Sequence, residues 1–320
     1  MKFKSSVYVF GVAFLSSVIS FAQSPMPTDR SGPVAAAIGN RIYVISGGNA
    51  NGLTSVNEVY EPEHDCWREA APIPTPRSEA AATVLHGQIY VLGGVGPDGT
   101  ASAVVERYDP QSDTWSPAQP MPDVRRGQAA AVLHDRIYAT AGGLPIGPTD
   151  TVFVYDPLNH SWRNAASMPG ARRNAAAGVV GNTLLVAGGL RRFVGTLDEL
   201  VGYDPDTDSW TELSPMEIKR SHLSAVAVGG KFYVFGGFNN DDFFLASGEV
   251  YDPETETWSF ISAMPEPREH TAAVAIGGKV YVFAGDNADN LSLATLDIYD
   301  PVTNSWAPSK LETVMCSGHD

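Results

Sequence analysis

All six tryptophans of this 320-residue chain fall on one period: Trp67, Trp115, Trp162, Trp210, Trp258 and Trp306 stand 48, 47, 48, 48 and 48 residues apart. Self-similarity at such a period marks an array of supersecondary units that bury their apolar faces against one another. Seven residues before each Trp lies the Tyr of a Tyr-acid-Pro triplet, at Tyr60, Tyr108, Tyr155, Tyr203, Tyr251 and Tyr299. A Gly pair precedes each triplet, at Gly47, Gly93, Gly142, Gly188 and Gly236, and is reduced to Ala284-Gly285 in the last unit. An Arg opens every unit, at Arg30, Arg77, Arg125, Arg172, Arg220 and Arg268. It stands thirteen residues before Tyr43, Tyr90, Tyr138, Leu185, Tyr233 and Tyr281.

These four features together resemble the kelch motif, repeated six times from about Arg30 to Trp306. The resemblance implies an all-β fold, a six-bladed kelch β-propeller with four antiparallel strands per blade. The expected organisation is a signal peptide over 1–22, a propeller over 23–309 and a C-terminal tail over 310–320. Blades are expected at about 28–72, 73–120, 121–167, 168–215, 216–263 and 264–309. Kelch propellers serve many unrelated tasks, so the fold alone names no ligand.

Within blade 2, Ala80 to Leu85 reads as the innermost strand, where blades converge and small side chains fit the taper. His86-Gly87 makes a tight turn into Gln88 to Leu92. Val104 to Tyr108 alternates as a half-buried third strand, and a fourth opens at Trp115. The repeated Trp and Tyr read as packing between blades. Every unit supplies its strands in order, so no strand is visibly donated from one terminus to close the ring.

Lys2 and Lys4, the largely apolar stretch Val7 to Ile19 and the small-x-small site Ser20-Phe21-Ala22 read as an export signal, with a mature chain from Gln23. The apolar stretch falls short of the ~20 residues that span a bilayer, and no transmembrane segment is expected in the mature chain. A secreted or periplasmic location follows, where Cys66 and Cys316 are candidates for a disulfide across the ring junction. Two free thiols are the alternative. Without Lys2 and Lys4 the chain has 19 basic and 36 acidic residues, which disfavours nucleic acid as a partner. The protein is expected to be a monomer without a cofactor or bound metal.

Residues shared by all six units maintain the fold, whereas an asymmetric ligand must be read by equivalent positions that differ. In ligand-binding kelch propellers the residues after the opening Arg and after the Gly pair line the channel mouth. The resemblance carries that role to Ser31, Ser78, Arg126, Arg173, Ser221 and Glu269, then to Gly32, Glu79, Gly127, Asn174, His222 and His270. After the Gly pairs come Asn49, Val95, Leu144, Leu190, Phe238 and Asp286, with Arg191 and Arg192 next to Leu190. Blades 3 and 4 thus gather Arg126, Arg173, Arg191 and Arg192, and blades 5 and 6 gather His222, Glu269, His270 and Asp286. Arginine forks match carboxylates, which points to an acidic sugar or an acidic protein segment. Pairing of these Arg residues with Asp198 or Glu199 is the competing expectation. The ligand-binding candidates are therefore Arg126, Arg173, Arg191, Glu79, Asn174, His222, Glu269, His270 and Asp286.

The expected function is an exported protein- or glycan-binding module acting through the asymmetric channel mouth. The alternative is a sugar-acid mutarotase or epimerase, since some exported kelch propellers, the periplasmic sialic acid mutarotases, act on acidic sugars with Arg and Glu in the pocket. A deep pocket with a carboxylate within reach of an Arg would favour the enzyme, and a shallow basin the binder.

Overall fold

The computed structural model describes residues 23–241, 243–307, 310 and 312–317. The expected signal peptide over 1–22 lies outside the described residues. Six four-stranded antiparallel sheets follow one another in chain order. Blade 1 is built from Val34–Ile38, Arg41–Ile45, Asn57–Glu61 and Cys66–Ala70. The inner strands of blades 2 to 6 are Ala81–Leu85, Ala129–Leu133, Ala176–Val180, Ser224–Val228 and Ala272–Ile276. Each inner strand packs on the next, and that of blade 6 meets that of blade 1. In blade 2 the third strand is Val105–Asp109 and the fourth Thr114–Pro117, one residue from where alternation placed them.

The inner strands hold Ala, Val and Ser because six of them share the axis. The second strands, such as Arg41–Ile45, are buried after their first residue. The second-strand Tyr of each blade reaches the third-strand Tyr of the next. Tyr43 meets Tyr108 at 5.5 Å between ring centroids, Tyr138 meets Tyr203 at 5.5 Å, and Tyr281 closes the circuit on Tyr60 at 6.2 Å. Leu185 takes the Tyr position in blade 4 and packs in one cluster with Tyr251. The aromatic period is thus the period of the blade interfaces.

Ring closure uses both termini, which strand counting did not show. Five Trp Nε1 groups donate to a carbonyl of the preceding blade, as Trp115 does to Ala71 and Trp306 to Ser262, both at 2.8 Å. Trp67 has no earlier blade and donates instead to Ser24 at 3.0 Å. The amide of Met26 donates to Ala294 of blade 6, as that of Met264 does to Ala246 of blade 5. The segment before blade 1 therefore completes blade 6. The tail then lies along the outer strand of blade 1, with a parallel bridge between Trp67 and Met315. Trp67 N donates to Val314 O, and Cys316 N to Trp67 O. Cys66 and Cys316 are joined by a disulfide.

The opening Arg side chains belong to the scaffold. All six are at most 1% exposed. Five contact an acid: Arg30 with Glu58, Arg77 with Glu106 at 2.9 Å, Arg172 with Glu199 at 2.6 Å, Arg220 with Glu249 at 2.7 Å and Arg268 with Asp297 at 2.5 Å. Arg125 differs. Its guanidinium lies 4.1 Å over the Phe153 ring and donates to the Ala141 and Thr151 carbonyls at 3.1 and 2.8 Å. Among the described residues no carboxylate stands within ion-pair distance of it. Burial pulls its pKa down to about 10, against the attraction of Asp123 and Asp150. At Gly236 the chain passes so close to the next blade that a Cβ would stand 2.5 Å from the Arg268 carbonyl, whereas blades 1, 3 and 6 carry Ser46, Ala141 and Ala284 at the equivalent position.

Candidate functional site at the channel mouth

Two residues after each buried Arg the backbone turns left-handed, at Gly32, Glu79, Gly127, Asn174, His222 and His270, with φ between 51° and 57°. Glycine adopts this conformation freely; the other four hold it against a steric cost. Their peptide groups run around the axis as a chain of five hydrogen bonds. Gly127 N donates to Glu79 O, Asn174 N to Gly127 O, His222 N to Asn174 O, His270 N to His222 O and Gly32 N to His270 O, at 2.7 to 3.0 Å. The last link crosses the junction of blades 6 and 1. This ring fixes four side chains of three kinds around a pocket of about 100 Å³, whose lining includes Glu79, Asn174, His222 and His270.

The histidines differ in their partners. The Asn174 amide donates to His222 Nε2, which assigns the ring proton to Nδ1, 3.2 Å from Glu269 Oε2. Burial holds the His222 pKa below its ordinary value, and contact with Glu269 only partly offsets it. His270 Nδ1 lies 3.5 Å from Asp286 and 3.9 Å from Glu269. Burial acts to lower its pKa too, but Asp286, Glu269 and Glu79 together raise it. The two rings are 4.2 Å apart. Asp286 accepts from Ser31 and, at 3.2 Å, from Ser292. Burial opposes its ionisation, yet the His270 and Ser31 contacts hold its pKa below the usual range.

One step outward, the residues after the opening Arg bridge the strand that follows: Arg173 with Leu190 and Glu269 with Asp286, as expected, but Arg126 with Gly143 and Ser31 with Gly48. The last two fall one residue short of the expected Leu144 and Asn49, because the Gly pairs of blades 1 and 3 sit one residue later after the opening Arg than the others. Arg126 and Arg173 converge on Gly143, where a Cβ would lie 3.4 Å from Arg173 Cδ and 3.5 Å from Arg126 Cγ. Among the described residues neither guanidinium has an acid within ion-pair distance, and Arg173 Nε is buried without a partner. Arg191 is set apart, because Glu199 takes its fork at 2.9 and 2.7 Å. The competing expectation of pairing with Glu199 thus applies to Arg191 and not to Arg126 or Arg173. Sequence reasoning missed Ser292, and it missed the exposed Ile146 and Phe193 on the hairpins beyond the Gly pairs. The only signal for these was an apolar residue in a loop otherwise rich in Gly, Pro and Arg.

Among the described residues, the one set of three His, Cys, Asp or Glu ligand atoms mutually within 4.8 Å is Glu61, Cys66 and Cys316. Its sulfurs are bonded to each other. Wider hollows of about 470 and 530 Å³ flank the outer edge of blade 1 around His64. The Arg41 and Arg68 side chains there are already engaged by Glu61, at 3.0 and 3.2 Å. No helix among the described residues is long and apolar enough to cross a membrane.

Many solved structures share this architecture, 951 matching chains in all, so the fold by itself selects no activity. One of them, described as "Structure of YjhT", superposes with a TM-score of 0.77 at 14% identity, over 90% of this chain and 99% of that one. No curated protein matches the sequence. The family described as the KLHDC2/KLHL20/DRC7 Kelch-repeats domain matches twice, over residues 35–222 and 140–318. Overlapping matches are what near-equivalent repeats produce, and together they span most of the sequence: the chain belongs to this kelch-repeat family.

Proposed function

We propose that this propeller is an exported binding module that receives an anionic group, a carboxylate of a protein segment or of an acidic sugar, at the asymmetric mouth of its channel. The observation that carries this reading is the pair Arg126 and Arg173, side by side over Gly143 with no acid in contact, in a chain of net charge −15. Two adjacent guanidinium groups repel each other until an anion enters, and their forks match a carboxylate bidentately. Export is supported by the composition of residues 1–22 and by the Cys66–Cys316 disulfide, which persists in an oxidising compartment.

A second reading, an isomerase acting on an acidic sugar, draws on one observation. His222 and His270 have proton affinities pushed in opposite directions, an arrangement that separates an acid from a base. The pocket they line, about 100 Å³, is well below the ~300 Å³ at which small-molecule sites begin, which favours the binder. Calorimetric titration of the protein with N-acetylneuraminate, glucuronate and an acidic peptide tests both readings. Anomer exchange of any sugar that binds is followed by NMR. Binding that is lost in Arg126→Gln/Arg173→Gln is the expected result. Binding indifferent to both substitutions would overturn the site, and exchange abolished by His270→Gln would move the assignment to the enzyme.

A further inference from the structure

We infer that the hairpins rimming the mouth on blades 3, 4 and 5 seat a protein partner, an extended peptide segment carrying acidic residues beside a large apolar side chain. This rests on the proposed anion site and narrows its ligand to a peptide. The hairpins are the ribbons Gly143–Leu144 with Gly147–Pro148, Leu190–Arg191 with Gly195–Thr196, and Phe238–Asn239 with Phe243–Phe244. They adjoin one another: Arg192 donates to the Ile146 carbonyl at 3.4 Å, and a Cβ on Gly195 would stand 3.5 Å from the Asn240 amide.

The tips of the blade 3 and blade 4 hairpins are apolar and bare, and on blade 5 the exposed Phe243 directly follows the acidic pair Asp241-Asp242 in sequence. Ile146 is 82% exposed, Phe193 94%, and Val194 and Phe243 63% each. Other exposed apolar residues, such as Leu158 and Val302, stand on outer turns of separate blades, where single ones need no explanation. Phe193 and Phe243 also hold φ of 65° and 62°, a conformation that bulky side chains rarely adopt. Phe243 meets the Phe238 ring of its own hairpin at 6.2 Å between centroids, but among the described residues no ring packs on Phe193. Grouped exposed apolar side chains mark an interaction surface.

Charge complementarity selects the occupant. A hollow of about 390 Å³ lies between the hairpins of blades 3 and 4, lined by Ile146, Pro148, Ala171, Arg191 and Arg192. The Arg192 guanidinium stands 4.7 Å over the Phe193 ring at its edge, with no acid partner among the described residues. The blade 3 hairpin therefore has Arg126 and Arg173 at its base and Arg192 at its tip. From Gly143 to Gly147 is one step along the ribbon and one across, roughly two residues of extended chain at ~3.3 Å each. Acidic residues two apart would meet both ends, since i and i+2 share a face of an extended segment, with a large apolar neighbour entering the hollow. The net charge of −15 disfavours an anionic membrane as the partner.

Selection from a displayed library of random heptapeptides tests this, with enriched sequences resynthesised, capped and measured by fluorescence anisotropy. Enrichment of Asp or Glu beside Phe, Trp or Leu is expected. Ile146→Ser/Phe193→Ser should weaken binding by about tenfold or more, equivalent to ~1.4 kcal/mol, at an unchanged melting midpoint. Arg192→Gln should weaken it several-fold and reduce its salt dependence. Acidic peptides without an apolar preference, lost in Arg126→Gln/Arg173→Gln but unaffected by Ile146→Ser/Phe193→Ser, would overturn the rim and leave the mouth reading standing. No enrichment, together with Phe193-dependent binding to vesicles of equal phosphatidylglycerol and phosphatidylcholine, would assign the patch to a lipid surface instead. No enrichment and no vesicle binding would remove the rim as a docking site.

Discussion

Replacing a buried opening Arg by Met should cost very different amounts in blades 3 and 5. Arg220 donates to the Gly236 and Ser247 carbonyls at 2.8 and 2.9 Å and to Glu249 at 2.7 Å. Arg125 donates to the equivalent carbonyls of Ala141 and Thr151 but holds no carboxylate; in its place stand the Phe153 face and the Thr151 hydroxyl. Each substitution removes donors from two carbonyls and one hydroxyl, Thr151 in blade 3 and Ser247 in blade 5, so those losses largely offset each other, although the Ser247 carbonyl keeps the Gly236 amide. What remains in blade 5 is Glu249, fully buried and left with the amides of Glu217 and Ile218. Breaking a buried pair from one side costs about 3–5 kcal/mol. The blade 3 variant loses a cation–π contact of about 1–2 kcal/mol. Arg220→Met should therefore be the less stable by about 2–3 kcal/mol, close to 1 M in urea midpoint at a slope of about 3 kcal/mol/M. Adding Glu249→Gln to Arg220→Met should recover much of the loss, because a neutral side chain no longer strands a charge. Circular dichroism across a urea series measures all three variants. Equal costs for Arg125→Met and Arg220→Met, or a double variant no better than Arg220→Met, would refute the claim that the acid partner sets the cost.

By NMR titration, His222 should gain its proton below the usual pH of about 6.5 and His270 above it. His222, lowered in the fold, withdraws stability as pH falls below ~6.5, so His222→Gln should blunt acid destabilisation; His270, raised, contributes stability below ~6.5 that vanishes as pH rises through its folded value. One shared titration point would contradict this. Reduction, or Cys66→Ser/Cys316→Ser, releases a closure between residues 250 apart and should cost up to about 5 kcal/mol in the chain-entropy view; identical melting with and without reductant would remove that role. Trp210→Ala should cost about 3–5 kcal/mol. Trp67→Ala should cost more, since Trp67 is wholly buried and its Nε1 also fastens the Ser24 segment; an unchanged melting midpoint in either variant would count against the packing role.

The fold was legible because a propeller repeats each structural demand at a fixed interval, so the Trp, Tyr, Gly pair and Arg are each written six times. Ring closure is the exception for the same reason. It happens once, and its parts, Ser24, Met26 and Val314, belong to no repeat. The site was legible as a set of positions. The ring that brings Glu79, Asn174, His222 and His270 around one pocket follows from their common offset from the Arg. Their chemistry was not legible, because it depends on which neighbour each side chain meets. Arg191 stands next to Arg192 in sequence, yet Glu199 engages Arg191 while Arg192 lies over Phe193.

One signal was written in the repeats but needed the structure to give it meaning. Two residues before the triplet Tyr stand Glu58, Glu106, Glu249 and Asp297 in blades 1, 2, 5 and 6, where blades 3 and 4 have Phe153 and Val201. Each acid meets the buried Arg that opens its own blade. In blade 4 the substitute is Glu199, on a third of whose side chain solvent still acts and which Arg172 shares with Arg191. In blade 3 nothing replaces it. The two blades that lack the repeated acid are also the two that place Arg126 and Arg173 at the mouth. A buried Arg without its acid adds positive potential in a medium of low effective dielectric, where it is felt farther than at the surface. On the proposed reading Arg125, only partly offset by Asp123 and Asp150, would add to Arg126 next to it in drawing an anion to that side of the ring. Phe153→Glu, which would restore the acid beneath Arg125, should weaken binding of an acidic ligand at the mouth without touching it. Unchanged affinity in a folded Phe153→Glu protein would show that the buried charge contributes nothing to the site.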